Sequence, residues 1–304
     1  MLDLHKLEIF ALVAQEGSFS GAAERLLMTQ SGVSQHIQDL EKHFGIALFQ
    51  RSRRGVTLTP AGEQLLSYAQ SILKLVAEAE HNLTRVESLE SGQLTIGATP
   101  GITVYLMPEW LQSFRVRYSK LTVSLQTSVT SQIVAGVRGN RFDLGFIEGE
   151  LNDTTAAQVN VIVLKEAEQY VAIGKKHPWW GRKSITISEL DSQSFIMRQP
   201  DSQTRRWLEQ MLRQFGVRPH IAAEFDSLEL IKQSIICGTC LAILPDYVIQ
   251  AERALNVVQL ISIVDAPLKR TLKLVWAKER FLSPVTRIFL QELAEQFPQL
   301  RTLE

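Results

Sequence analysis

Sulfur is scarce in this chain. Cys237 and Cys240 are its only cysteines in 304 residues. Two thiols cannot build a disulfide framework. A zinc site would need further ligands at short spacing, and the sequence offers no second cysteine pair and no nearby histidine cluster. Excess charge of one sign is missing as well, since 32 Lys plus Arg face 32 Asp plus Glu. A nucleic-acid surface, if there is one, must therefore be local. Long apolar runs are absent: the longest surrounds the two cysteines and is too short to span a bilayer. Asp3, Lys6 and Glu8 interrupt the N-terminus where a secretory signal needs an unbroken apolar stretch. The expectation is a cytoplasmic protein with no membrane partner, no metal and no cofactor. No catalytic set stands out either, because Ser202 lacks a paired histidine, His177 precedes Pro178 in a loop, and no Gly-rich phosphate loop occurs.

What is present, 45% hydrophobic and 21% charged residues, suits a globular chain of two or three domains. Asp3 is placed to cap a helix carrying Leu4, Leu7, Phe10, Ala11 and Ala14, which Gly17 ends. Ser20 is expected to cap a short second helix with Ala22, Ala23, Leu26 and Leu27. After a break at Met28 and Thr29, a third helix carries Val33, Ile37, Leu40 and Phe44 on one face. Its other face shows Ser31, Ser34, Gln35 and Gln38, polar and uncharged. Such a pair of short helices is what a helix-turn-helix needs to enter a major groove, where Gln pairs with adenine and Ser bonds base edges or phosphate. A solvated polar face on an ordinary three-helix unit is the plainer alternative. In LFQRSRRGVTLTPAG, alternating residues flank a turn bearing Arg51, Arg53 and Arg54, and Thr59 with Pro60 opens a new helix. Residues 1–62 hold six basic and six acidic side chains, so the positive charge is concentrated in this wing. A basic turn directly after a helix-turn-helix points to DNA.

The segments AAERLLMTQSGVSQHIQDLEKHFG and LFQRSRRGVTLTPAG resemble the LysR-type transcriptional regulators, and the resemblance extends along the whole chain. It implies a fold of the α/β class with an N-terminal winged helix-turn-helix, a long linker helix and a two-lobed, periplasmic-binding-protein-like effector domain. It assigns DNA contact to Gln30, Ser31, Ser34, Gln35 and Arg54. Ser31 and Gln35 replace the Pro and Arg of many members. The resemblance further implies an interrupted dyad operator in double-stranded DNA, a homo-oligomer built as a dimer of dimers, a small-molecule inducer, and RNA polymerase as a further partner.

From Pro60 to about Glu90, Leu65, Ala69, Ile72, Val76, Ala79, Leu83 and Val86 are spaced alternately by four and three, a heptad seam suited to pairing two chains. An internal amphipathic helix would show the same stripe. Beyond Ser91 strand-like and helical segments alternate, from QLTIGA through LTVSLQT, FDLGFIEG, VLKEAEQYVAIGK and SFIMRQP to RTLKLVWAKE, an order expected of parallel strands with crossover helices. The expected division is a DNA-binding domain at 1–59, a dimerising linker at 60–90 and an effector domain at 91–304. The resemblance puts one lobe at 91–162 and 268–304 and the other at 163–267.

In IICGTCLAILP a helix ends and a strand begins, whereas a thioredoxin-like pair should open a helix, whose N-terminus lowers the thiol pKa. Packing is the expected role of Cys237 and Cys240, with a thiol-responsive regulator as the alternative. Peroxide-sensing members of the family carry their reactive cysteine in the loop equivalent to DSQT, where this chain has none. A solute-binding or enzymatic α/β protein would leave the wing and heptad helix unused.

Three helices in the second part begin with hydroxyl side chains: Thr99 with Thr103, Ser128 with Thr130 and Ser131, and Ser202 with Gln203 and Thr204. Each cluster is compatible with simple N-capping. Their recurrence in a two-lobed fold, where helix N-termini point into the cleft, predicts a small anionic metabolite held there. RQPDSQTR resembles a stretch found in family members that regulate carbon fixation and sulfur assimilation, with Asp201 and Gln203 in place of its two glycines.

Overall fold

The computed structural model describes residues 3–52, 55–84, 92–278 and 282–303. Arg53, Arg54, Val86 and the 90/91 boundary lie outside the described residues. The chain divides into two compact units, the first comprising Met1–Ser88 and the second running from Leu89 onward apart from Gly139–Arg141.

In the first unit, α1 (Leu4–Glu16), α2 (Phe19–Arg25) and α3 (Gln30–Phe44) are followed by the hairpin β1 (Phe49–Ser52) and β2 (Gly55–Leu58) and then by α4 (Pro60–Thr84). Asp3 caps α1 by accepting from the Lys6 amide at 3.0 Å, and Gly17 ends it in the left-handed region at φ 61°. The cap of α2 is Ser18, which accepts from the Gly21 amide, rather than the expected Ser20. Both serines flank Phe19; the earlier one wins because the helix must start at Phe19 for that ring to reach the core, where it is 8% exposed. Thr29 caps α3 through the Gly32 amide. Val33, Ile37 and Leu40 are buried against Leu7, Phe10 and Ala22, each such side chain contributing about 1.5–3 kcal/mol. Phe44, expected on the same face, is 40% exposed at the helix end.

The heptad stripe is used differently along α4. Ala69 is fully buried, and Leu65 and Ile72 pack with it against the core of their own head. Among the described side chains of α4, the exposed large apolar ones are Tyr68 (61%) and Leu75 (47%), seven residues apart. The plainer reading, an amphipathic helix serving its own domain, thus holds for the first turns. Ala79 and Leu83 lie on the helix backbone.

The second unit begins with β3 (Gln93–Ala98), α5 (Pro100–Tyr105), α6 (Met107–Arg117), β4 (Thr122–Thr127), α7 (Thr130–Arg138), β5 (Leu144–Glu148), α8 (Asp153–Ala156) and β6 (Val159–Gly174). It continues through β7 (Ser184–Ile185), β8 (Ser194–Arg198), α9 (Gln203–Gln214), β9 (His220–Phe225), α10 (Leu228–Cys237), β10 (Leu241–Pro245), α11 (Gln250–Ala254), β11 (Val258–Ile263), β12 (Leu268–Ala277) and α12 (Pro284–Leu293). The main path of one sheet runs β4-β3-β5-β12-β6-β10-β8-β9. β3 pairs in parallel with β4 and β5, and β8 with β9 and β10, as the alternation predicted. The sheet is nevertheless mixed, because β6 and β12 run antiparallel to each other and to their neighbours. β6 makes the sheet continuous: its first two-thirds pair with β12 and its last residues with β10 and β11. A strand of 16 residues is long enough to serve two lobes.

Candidate functional site

On α3, Gln30, Ser31, Gln35 and Gln38 are exposed and Ser34 is half-buried. The buried set on the opposite side fixes the rotation of the helix, so this face is presented by packing rather than by chance. Gln35 is held by its neighbours: its amide donates to Asp39 at 3.0 Å, and Asp39 lies 3.2 Å from Lys6. The Gln35 bond, followed by that to Lys6, keeps the Asp39 carboxyl below its ordinary pKa. Ser31 shares a hydrogen bond with Thr29. Arg51 lies on β1, opposite Val56 in the hairpin; Arg53 and Arg54 lie outside the described residues.

The second unit contains a cavity of about 140 Å³, room for a ligand of roughly ten non-hydrogen atoms if each occupies about one water-sized volume. Thr99, Thr130, Ser202, Gln203 and Thr204 line it, so all three predicted clusters contribute. Thr103, Ser128 and Ser131 do not. Thr103 turns its hydroxyl back to the Ala98 and Thr99 carbonyls, Ser128 bonds Gln132, and Ser131 is exposed. The capping alternative fails where it matters most. Neither Thr99 nor Ser202 caps its helix with its side chain, and the Thr99 hydroxyl is buried without a partner.

Three arginines border the cavity that the hydroxyl pattern did not reveal. Arg205 is neutralised by Glu209 at 2.6 Å and Glu224 at 3.1 Å. Arg270, only 4% exposed, donates to the Thr204 hydroxyl at 3.0 Å and to the Glu148 carbonyl at 2.8 Å, and lies 3.3 Å from the Glu148 carboxylate. Its guanidinium also sits over the Trp207 ring. Gly149 makes room for it: a Cβ there would overlap Arg270 Nη2, and the backbone holds φ +106°, which disfavours any side chain. Arg198 forms no ion pair among the described residues, and burial holds its guanidinium below the ordinary arginine pKa. The Nε atoms of both Arg198 and Arg270 are buried and unbonded. Glu148 in turn accepts from the Tyr247 hydroxyl at 2.9 Å and the Gln169 amide at 3.2 Å. The one signal available was Arg198, which closes the apolar run of β8; Gln169 follows Lys165, Glu166 and Glu168, and Arg270 stands between Lys269 and Thr271, where nothing in the spacing marks them.

Cys240 is half-buried against the core, but Cys237, the last residue of α10, is exposed. The packing expected of both thiols therefore holds only for Cys240, since the helix rotation that buries Ile231 and Ile235 turns Cys237 outward. Among the described residues no group of side chains suited to a metal ion occurs, and no helix is long and apolar enough to cross a membrane.

Residues 4–63 match the family model described as "Bacterial regulatory helix-turn-helix protein, lysR family", and residues 87–298 match "LysR substrate binding domain". A "Probable RuBisCO transcriptional regulator" of Cyanophora paradoxa is 34% identical over 297 residues, covering 97% of this chain and 92% of its own. The fold is that of a full-length OxyR variant from Pseudomonas aeruginosa, with a TM-score of 0.76 at 23% identity over 97% of this chain and 94% of that one. The regulatory domain of Synechocystis CcmR, solved in complex with 2-PG, is 25% identical with a TM-score of 0.61, covering 67% of this chain and 96% of that one. With an exposed helix-turn-helix face in one unit, an arginine-lined cavity in a two-lobed α/β unit, and both family domains matched, the chain belongs to the LysR family and is a LysR-type transcriptional regulator.

Proposed function

We propose that this regulator is switched by a small anionic metabolite bound in the cavity of its second unit. The observation that carries the reading is the set of buried polar atoms left unbonded there: the Thr99 hydroxyl and the Nε atoms of Arg198 and Arg270. Burying such groups without partners costs about 1–3 kcal/mol each, and an acid group with several acceptor oxygens would relieve that cost. Thr130, Ser202, Gln203 and Thr204 add donors around the same cavity. The similarity to CcmR, whose regulatory domain was solved with 2-PG, supports a small acidic metabolite as the ligand class, not that particular acid.

Gln30, Ser31, Ser34, Gln35 and Gln38 read base edges and nearby phosphates in double-stranded DNA, and Arg51, Arg53 and Arg54 of the wing hold the backbone. The operator is an interrupted dyad, bound by a dimer of dimers in which α4 helices pair through Tyr68, Leu75 and the apolar positions that follow. Regulation runs through RNA polymerase at the promoter, in the cytoplasm, with no catalytic step. Residues 1–59 form the head, 60–90 the linker and 91–304 the effector domain, with lobes at 91–162 plus 268–304 and at 163–267.

Calorimetry of the full chain with phosphorylated and carboxylic acids of a few carbons tests the ligand site. At least one should bind, and Thr99→Val and Ser202→Ala should weaken it. A ligand that is neutral or cationic, or one indifferent to both substitutions, overturns the assignment.

A further inference from the structure

The charges around the cavity are unevenly matched, and this, taken with the reading of the cavity as an anion site, narrows the class of ligand. Arg205 has two carboxylate partners and Arg270 has Glu148. Arg198 alone of the three has none among the described residues. Asp226 and Asp201 act on it electrostatically without forming an ion pair, so of the three its guanidinium is the one open to an incoming acid group.

Glu148 also lines the cavity and is nearly buried, its side chain 11% exposed. Oε1 accepts from Gln169, while Oε2 accepts from Tyr247 and faces Arg270. Burial first, and then the Glu148 charge, push the Tyr247 phenol well above its ordinary pKa, so it stays protonated and acts as a donor. A carboxylate offers about four acceptor positions. Two accept hydrogen bonds, from Gln169 and Tyr247, and Arg270 lies against a third as an ion pair, which leaves one to be filled by a donor. Asp201 adds a second negative group to the lining.

We propose that Glu148 is a specificity-determining residue: the ligand carries one acid group, met by Arg198, and a hydroxyl or ammonium donor, met by Glu148, in preference to two acid groups. A second acid group near Glu148 would set two carboxylates against each other in a low-dielectric site, where like charges repel strongly. A hydroxyl there gains a bond to an ionised acceptor, stronger than one between neutral groups.

Glycerol 3-phosphate and 2-phosphoglycolate make the direct comparison, being similar in size and differing in whether a hydroxyl or a carboxylate stands opposite the phosphate. Calorimetry of the unmutated full chain should show glycerol 3-phosphate binding about tenfold more tightly, as one hydrogen bond to a charged group allows. Glu148→Gln should erase that preference, whereas Tyr247→Phe, which keeps the carboxylate, should retain its direction. If Glu148→Gln does not fold, the comparison in the unmutated chain decides alone. Equal or tighter binding of 2-phosphoglycolate, with both probes lost in Arg198→Gln, overturns the role of Glu148 and leaves the anion site standing. Failure of both probes to bind the unmutated chain removes the anion site and this inference together.

Discussion

The recognition face of α3 and the cavity of the second unit hold their polar groups in opposite ways. On α3 the Gln and Ser side chains are exposed or half-exposed opposite the buried Val33, Ile37 and Leu40, so water and neighbours such as Asp39 and Thr29 satisfy them, and in the reading proposed above DNA replaces that water. In the cavity, Thr99, Arg198 and Arg270 each keep a polar atom away from both water and protein partners. The first arrangement costs the fold nothing and waits for a large partner. The second weakens the fold locally, and a small ligand that supplies the missing acceptors stabilises it. A molecule built this way can hold its DNA-reading surface constant while its ligand-binding unit answers to metabolite concentration.

The strongest challenge to this contrast is Arg270→Ala. It leaves Glu148 nearly buried without its cation, and loss of one partner of a buried pair costs about 3–5 kcal/mol. Denaturant unfolding of the full chain should show that loss, and calorimetry should show no phosphate binding. A loss below about 1 kcal/mol would mean that the pair is solvated like a surface one. Ile37→Ala should cost about 2–4 kcal/mol through the cavity it leaves in the head. Without DNA its affinity for glycerol 3-phosphate should be unchanged; a parallel loss there would show that the fold of the ligand-binding unit depends on packing inside the head.

Within the head, base reading and backbone holding should separate. Gln35→Ala should alter preference among operator variants by about 1–3 kcal/mol, whereas Arg54→Ala should weaken all sequences alike and flatten the salt dependence. Gel retardation across a set of duplexes distinguishes the two, and uniform loss in both variants would contradict the division. The smallest effect is expected at Leu27, 95% exposed in the turn before α3 with φ 53°. Leu27→Asn should stabilise the head by up to about 1 kcal/mol, because asparagine tolerates the left-handed region better. A loss of stability would show that the leucine side chain has a packing role.

The regions also differ in how far the sequence displayed them. A helical face repeats every three or four residues along one segment, so Val33, Ile37 and Leu40 announced the orientation of Ser34, Gln35 and Gln38. At α4 the same periodicity reports that a face is covered and not by what: Leu65, Ala69 and Ile72 are covered by their own head. In the second unit, strands β3, β4, β5, β6, β8 and β12 all fall on segments the alternation singled out, and β10 on the strand expected after the CGTC turn. The hydroxyls at helix starts were visible, while the charges between them were not. Arg270 meets Glu148 because β12 pairs antiparallel with β5, Leu272 opposite Glu148, and positions two apart share a face. Residues 122 apart in the chain are joined by strand register alone, and register between distant strands leaves no trace in local spacing.

The central claim is that the cavity controls the head's activity on DNA. It is tested most directly by titrating the full chain onto DNA from upstream of its own gene, with and without saturating glycerol 3-phosphate. The unmutated protein and Arg198→Gln should be compared at one fixed salt concentration. The account predicts a ligand-dependent change in affinity or footprint for the unmutated protein and none for Arg198→Gln. The same change in both proteins, or a footprint indifferent to a ligand that calorimetry shows to be bound, would contradict it.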